Sequence, residues 1–151
     1  MFNRQLLQQL KQLGQLAAVV HTQHLIGHEQ ASLNRLQQRP ADYLNGYDRL
    51  FRHLSIALLQ QGYTLTTVRP HQTLLRCCTA HLPHQALSHV IQTRHGLKHG
   101  ELTQPDQAAC LGLYQLLSQY HPQDAQAFVL QLQAQFGLML VPSTSNTGAS
   151  V

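Results

Sequence analysis

The chain has 151 residues and carries ten lysines and arginines against six aspartates and glutamates, a formal net charge of +4 with histidine neutral. This length suits one domain, and no apolar run approaches the roughly 20 residues that a membrane-spanning helix needs. The positive charge is compatible with a nucleic-acid partner but is too scattered to require one. Cys77, Cys78 and Cys110 fit no disulfide framework, so we expect reduced, buried thiols in a soluble cytoplasmic protein.

Residues 2–38 carry apolar side chains at three- and four-residue spacing, which predicts a long N-terminal helix or helical hairpin. Gly14 and Gly27 weaken this pattern, and either can mark a break. A second helix is predicted from about Ala41 to Gln61, with Gly62 as its stop signal. The residues expected on its core-facing side are Leu44, Tyr47, Phe51, Leu54, Ala57 and Leu58. The basic residues expected on its flanks are Arg49, Arg52 and His53.

The segment 63–68 is rich in β-branched residues, but no second strand is evident to pair with it, so we expect an extended connection. Four further helices are predicted to begin at Pro70, at Pro83, within residues 103–106 and at Pro122. The last of them is expected to run to about Leu140. The sequence therefore predicts an all-α bundle of five to six helices over residues 1–141, followed by a flexible polar tail over residues 142–151.

The segment Val90–Glu101 gathers four cationic or titratable side chains in a chain that is poor in charge. Arg94 and Lys98 place positive charge near a helix end, and arginine presents a planar fork of donors that matches phosphate oxygens. His95 and His99 add imidazoles, which exchange protons readily. An arginine beside a histidine is the minimum set for cleaving RNA without a metal. A structural interpretation stands beside this one, because cations at a helix C-terminus stabilise the helix dipole by about 0.3–1 kcal/mol each.

The hexapeptide Arg94–His99 resembles the signature of the HEPN superfamily, in which an arginine and a polar residue are followed, after a short spacer, by a histidine. The order of elements is also similar, because HEPN domains are small all-α bundles that carry the motif at the end of a late helix. Residues 43–51 and 57–63 are similar to the helix and glycine turn of small bacterial HEPN proteins. The resemblance covers about residues 40–120.

The resemblance implies a metal-independent endoribonuclease, often a toxin or defence effector, that needs no cofactor and binds RNA in a composite cleft of a homodimer. It implies that His99 is the catalytic histidine, that Arg94 binds the scissile phosphate, and that His95 positions the other two. Lys98 lies in the spacer and is expected to add an RNA contact. HEPN toxins with a nucleotidyltransferase antitoxin often carry a tyrosine two residues after the motif histidine. This chain has Glu101 there, a difference that counts against that antitoxin.

Two other functions compete with this one. The low charge and the amphipathic N-terminal segment are compatible with a non-catalytic helical subunit of a larger nucleic-acid or defence complex. His21, His24 and His28 lie along one side of the predicted first helix, and zinc or nickel can use such a row. The apolar residues between them and the absence of a nearby cysteine favour surface or interface histidines, so we predict no metal site.

Overall fold

A computed structural model describes residues 2–78 and 82–137. Within these ranges it contains seven α-helices and one two-stranded sheet, which confirms the predicted all-α class and exceeds the predicted number of helices. The elements are α1 Arg4–Gln12, β1 Leu16–Ala18, α2 Gln23–Gln37, α3 Tyr43–Gln60, β2 Tyr63–Leu65, α4 Pro70–Cys78, α5 His84–Lys98, α6 Gln107–Tyr120 and α7 Pro122–Phe136. The predicted tail 142–151 and the predicted helical position of Leu140 lie outside the described residues. None of the described helices is long and apolar enough to cross a membrane.

The prediction of one long helix over residues 2–38 is wrong. The chain leaves α1 at Gly14, whose φ of 75° lies in the left-handed region that favours glycine. It then forms β1 before it enters α2, in which Gly27 is accommodated. Leu13 and Val20, two of the apolar side chains at the helical spacing, are 67% and 86% exposed. The break therefore changes which residues of this segment reach the core.

The two short strands pair with each other in antiparallel fashion. Leu16 lies opposite Leu65, and Ala18 lies opposite Tyr63. The predicted extended connection over residues 63–68 is therefore partly a strand. The sequence hides its partner, because a three-residue strand of leucine and alanine fits a helical pattern as well, and pairing between distant segments leaves no local signal.

The central helix is α3, which packs against α2, α4, α5, α6 and α7. Asp42 caps its N-terminus by accepting the Asn45 backbone N–H at 2.8 Å. Gly62 follows its C-terminal end with a φ of 88°, as its predicted role as a stop requires. The side chains of α3 that are at most 1% exposed are Tyr47, Leu50, Leu54 and Leu58.

Arg49 was expected on the flank of this helix, and that expectation is wrong because Arg49 is 4% exposed. Its guanidinium donates to the carbonyl oxygens of Leu36 and Arg39, at 3.2 and 2.7 Å. These carbonyls belong to the end of α2 and the connection after it, so Arg49 ties the α2–α3 turn to the core. Such hydrogen bonds are what allow a charged group to be buried.

The remaining helices begin where the sequence predicts. Pro70 and Pro122 are the first residues of α4 and α7, and Pro83 immediately precedes α5. Asp106 caps α6 by accepting the Ala109 backbone N–H at 2.8 Å. The apolar side of α6 packs in the core, and its buried members are Ala109, Cys110, Leu113, Leu116 and Leu117.

Two glycines fix the position of α5. A Cβ on Gly112 of α6 would lie 2.8 Å from Cγ2 of Val90, so the two helices approach each other more closely than a side chain would permit. At the end of α5 the carbonyl oxygen of Gly96 accepts the N–H groups of Glu101 and Leu102 at 2.8 and 3.0 Å. Gly112 thus permits the close packing of α5 on α6, and the Gly96 carbonyl ends the last turn of α5, which carries the predicted site.

Candidate functional site

The last turn of α5 carries the cluster predicted from the sequence. His95 and Lys98 lie in that turn, and His99 is the residue that ends the helix; all three are exposed. The ring centroids of His95 and His99 are 4.3 Å apart, and the rings are tilted by 52°. Gly100 follows with a φ of 77° and turns the chain away. The structure thus brings two histidines into contact at a solvent-facing helix end.

Arg94 differs from these neighbours because its side chain is only 17% exposed and lies against α3. Its guanidinium carbon is 5.2 Å from the centroid of the Tyr47 ring, and its Nε is 3.6 Å from a carboxylate oxygen of Asp48. That separation is too long for a hydrogen bond, and Nε has no hydrogen-bond partner among the described residues. Arg94 is therefore oriented by a ring and a carboxylate, and its hydrogen-bonding capacity is not saturated.

A histidine from α4 lies beside Arg94, and nothing in the local sequence indicates this neighbour. Nδ1 of His71 is 3.0 Å from the Tyr47 hydroxyl oxygen, and its ring packs at 4.7 Å against the ring of Phe51. Burial, followed by the positive charges of Arg94 and Lys98, lowers the pKa of His71 to about 4. His71 is therefore neutral at pH 7.

A cleft of about 470 Å³ lies between α4 and α5, within the size range of ligand pockets. The residues that line it are His71, Gln72, Ile91, Gln92, Arg94, His95 and Glu101. Most of these side chains are hydrogen-bond donors, so the lining suits a ligand with several acceptor oxygens. Of the four predicted site residues, Arg94 and His95 line the cleft itself. His99 contacts His95, and the charge of Lys98 acts on His71.

A second polar cluster, which the sequence analysis missed, joins α3 to the start of α7. Asp124 is 4% exposed, and its carboxylate accepts a hydrogen bond from Arg49 at 2.9 Å. The same carboxylate lies 2.8 Å from Nε2 of His53 and 3.4 Å from Nδ1 of His121. Burial raises the pKa of Asp124, but the His53 hydrogen bond and the charges of His121 and Arg49 outweigh burial and hold that pKa below its ordinary value. The spacing of Arg49 and His53, one turn apart on α3, was the signal available in the sequence.

These residues offer ligand atoms for a metal, because His53, His121 and Asp124 each present one within 4.8 Å of the others. Two features of the geometry argue against that use. Arg49 already neutralises the carboxylate, and the two imidazole rings are stacked at 4.3 Å with 17° between their planes. A metal must lie near the plane of each ring that binds it, and stacked parallel rings share no such position. We interpret the cluster as a buried anchor between helices.

The row of His21, His24 and His28 does not form a site within the described parts of the chain. All three side chains are exposed, and their nitrogen atoms do not converge as a set of metal ligands. The prediction that these are surface histidines agrees with this exposure.

Two of the three cysteines, Cys77 and Cys110, and two tyrosines of α3, Tyr43 and Tyr47, are buried. Cys77 and Cys110 are at most 5% exposed, which confirms the predicted buried thiols, and burial raises the pKa of Cys77 to about 11. The side chain of Cys78 lies outside the described residues. Tyr43 and Tyr47 are at most 2% exposed, so both pack in the core and leave no ring face for a base to stack on.

The chain was compared with protein-family models, with curated proteins and with solved structures, and none of them matches it.

Proposed function

We propose that the protein is a metal-independent endoribonuclease of the HEPN type. The observation that carries the proposal is the position of Arg94, which is oriented by Tyr47 and Asp48 at the edge of a cleft that it shares with His95. His95 contacts His99, so a phosphate-binding arginine and two histidines form one continuous surface. This arrangement favours a role in RNA binding and cleavage over the structural interpretation, in which the cations only stabilise the helix dipole.

The chemistry proposed for this surface is transesterification of a phosphodiester. The ribose 2′-oxygen attacks phosphorus, the bond to the 5′-oxygen breaks, and the products are a 2′,3′-cyclic phosphate and a 5′-hydroxyl. His99 transfers one of the two protons that move, either the one that leaves the 2′-hydroxyl or the one that the 5′-oxygen gains, and solvent water exchanges the other. Arg94 stabilises the negative charge on the phosphate oxygens, His95 positions His99, and Lys98 adds a contact to the RNA backbone.

The biological setting follows from the resemblance and is part of the proposal. It comprises a cytoplasmic homodimer with a composite cleft, a toxin or defence role, and an antitoxin or a larger complex as a further partner. Glu101 occupies the position where a regulated tyrosine stands in many such toxins, so the proposal includes no modification at that position.

RNA cleavage in the presence of EDTA tests the function. We expect wild-type protein to cut, His99→Ala to lose about 10²- to 10⁴-fold and Arg94→Ala about 10²- to 10³-fold in rate. His84→Ala and Arg76→Ala are matched controls, because His84 is an exposed histidine at the other end of α5 and Arg76 is an exposed arginine at the end of α4. Equal cutting by wild type and both site variants would trace the activity to a contaminant and reject the assignment.

A second candidate is a non-catalytic interaction subunit, which exposed apolar side chains favour. Val20, Leu13 and Leu130 are 86%, 67% and 64% exposed. The long first helix that motivated this candidate is absent, and Leu7 and Leu10 of α1 are buried in the chain's own core. This function predicts no cleavage by purified protein and a stable hetero-complex in a pull-down that Val20→Ser and Leu130→Ser weaken.

A further inference from the structure

We propose that His71 is a phosphate-contacting residue of the cleft, so that the phosphate site within one protomer is built from α4 and α5 together. This inference rests on the proposed function, because it adds a contact to the same RNA phosphate. It extends the site beyond the α5 motif, whose residues are Arg94, His95 and His99.

The Tyr47 hydroxyl fixes the orientation of the His71 ring. Burial raises the pKa of Tyr47 well above its ordinary value, so the hydroxyl keeps its proton. That hydroxyl lies 3.0 Å from Nδ1, and we assign it as the donor of this hydrogen bond, which places the ring proton of neutral His71 on Nε2. Because Nδ1 faces Tyr47 and the ring lines the cleft, the Nε2–H group is the one that remains available to a ligand in the cleft.

The charges around His71 favour a neutral donor over a second cation. The titratable or charged groups that surround it are Arg94, Lys98 and His95 on α5, Tyr47 on α3, and Glu101 after α5. The two nearby cations oppose protonation of His71, and they attract an anion to the same place. A phosphate in the cleft then receives the charge of Arg94 and a hydrogen bond from Nε2–H of His71, without proton uptake by the protein.

The competing explanation is that His71 only supports the packing of Tyr47 and Phe51. Two substitutions separate the roles, because an asparagine amide can replace Nδ1 and a glutamine amide can replace Nε2. His71→Asn keeps a partner for the Tyr47 hydroxyl and removes the donor to the cleft. His71→Gln does the reverse. If His71 contacts phosphate, His71→Asn weakens binding and His71→Gln retains it. If His71 only supports packing, His71→Gln is the variant with the lower thermal stability and the weaker binding, because it loses the partner of the Tyr47 hydroxyl.

Binding of a single-stranded oligonucleotide tests the proposal when every ribose lacks its 2′-hydroxyl, because this probe keeps the phosphodiester and cannot be cleaved. We expect His71→Asn to bind about tenfold or more weakly, from the loss of one hydrogen bond to a charged group, and His71→Gln to bind within about threefold of wild type. His24→Asn, an exposed histidine on α2, is the control and should bind as wild type. Wild-type affinity of His71→Asn would overturn the proposal.

Nitrogen-15 NMR tests the proposal on the wild-type protein, without any substitution. We expect the His71 ring to be protonated at Nε2 and its resonances to shift when inorganic phosphate is added. A ring protonated at Nδ1, or resonances that phosphate leaves unchanged, would overturn the proposal. A shift with phosphate but not with the oligonucleotide would also overturn it, because the cleft would then bind a free anion instead of a nucleic-acid backbone.

The two proposals fail separately. If wild type binds the oligonucleotide through His71 and cuts no RNA, the ribonuclease function is rejected and the phosphate contact stands. If wild type cuts RNA through His99 and His71→Asn binds and cuts normally, the ribonuclease function stands and the inference about His71 is rejected.

Discussion

Asp124 joins side chains from α3 and α7 at a buried point, and its replacement should be costly. We expect Asp124→Asn to lower the free energy of unfolding by about 3–5 kcal/mol, because Arg49 would then be buried without a counter-charge. Urea denaturation followed by circular dichroism at pH 7 measures this. Asp106→Asn is the control: Asp106 caps α6 and, like Asp124, pairs with a histidine, but its side chain is 60% exposed. Asparagine caps a helix as well as aspartate does, so only the exposed pair with His89 is lost, and we expect a loss of at most about 1 kcal/mol. Equal losses would contradict the buried ion pair.

The same residue gives the stability a pH dependence of defined sign. The pKa of folded Asp124 lies below its ordinary value of 3.8, so the stability that its ionised form contributes is present above that pH and is lost as the pH falls through the folded pKa. The difference in unfolding free energy between wild type and Asp124→Asn should therefore be present at neutral pH and shrink below pH 3.8. Denaturation at a series of pH values checks this, and a difference that grows below pH 3.8 would refute it.

Contacts within one helical turn could be predicted from the sequence, and contacts between helices could not. The spacing of His95 and His99 places both on one side of α5, and their rings do meet. His71 reaches Arg94 only because α4 packs against α5, and Asp124 reaches Arg49 only because α7 packs against α3. Which helix faces meet is decided by the whole core, so no local pattern identifies these partners.

Two helical glycines provide a prediction about element packing. Gly112→Ala should lower the free energy of unfolding by about 1–3 kcal/mol, because its Cβ would meet the buried Cγ2 of Val90 at 2.8 Å, although alanine is the better helix former. Gly27→Ala has no atom within 4 Å of the added Cβ and should raise the stability by up to about 1 kcal/mol. Thermal melts of the two variants compare these effects directly. A stabilised Gly112→Ala would show that α5 and α6 can separate at little cost.

Helix starts could be predicted because their chemistry is local, whereas the strand pair could not. Pro70, Asp106 and Pro122 each act within their own first turn, through a missing N–H or a capping carboxylate. The segment Leu16–Ala18 has no such marker, and its extended form depends on β2 lying alongside it. The turn at Gly14 was the one local sign that the first helix ends early.

At the scale of the whole molecule, α3 separates the candidate site from the buried anchor. Tyr47 and Phe51 contact His71, and Arg49 and His53, two residues further along, contact Asp124. A shift of two residues turns about 200° around a helix, so the two pairs lie on opposite sides of α3. The buried anchor around Asp124 can therefore stabilise the bundle without taking part in the chemistry of the cleft.

The arrangement of the proposed homodimer can be tested by mixing inactive variants. If each composite site takes Arg94 from one protomer and His99 from its partner, heterodimers of Arg94→Ala and His99→Ala keep one intact site. Half of the randomly mixed dimers are heterodimers, so about a quarter of the wild-type activity should return. His71 and Arg94 lie together in one chain, so mixing His71→Asn with Arg94→Ala should give no more activity than the average of the two variants measured alone. In each experiment the two variants are unfolded, mixed and refolded together, and RNA cleavage by the mixture is then measured. No recovery with the first pair would place the complete site in one protomer, and recovery with the second pair would refute the shared cleft of His71 and Arg94.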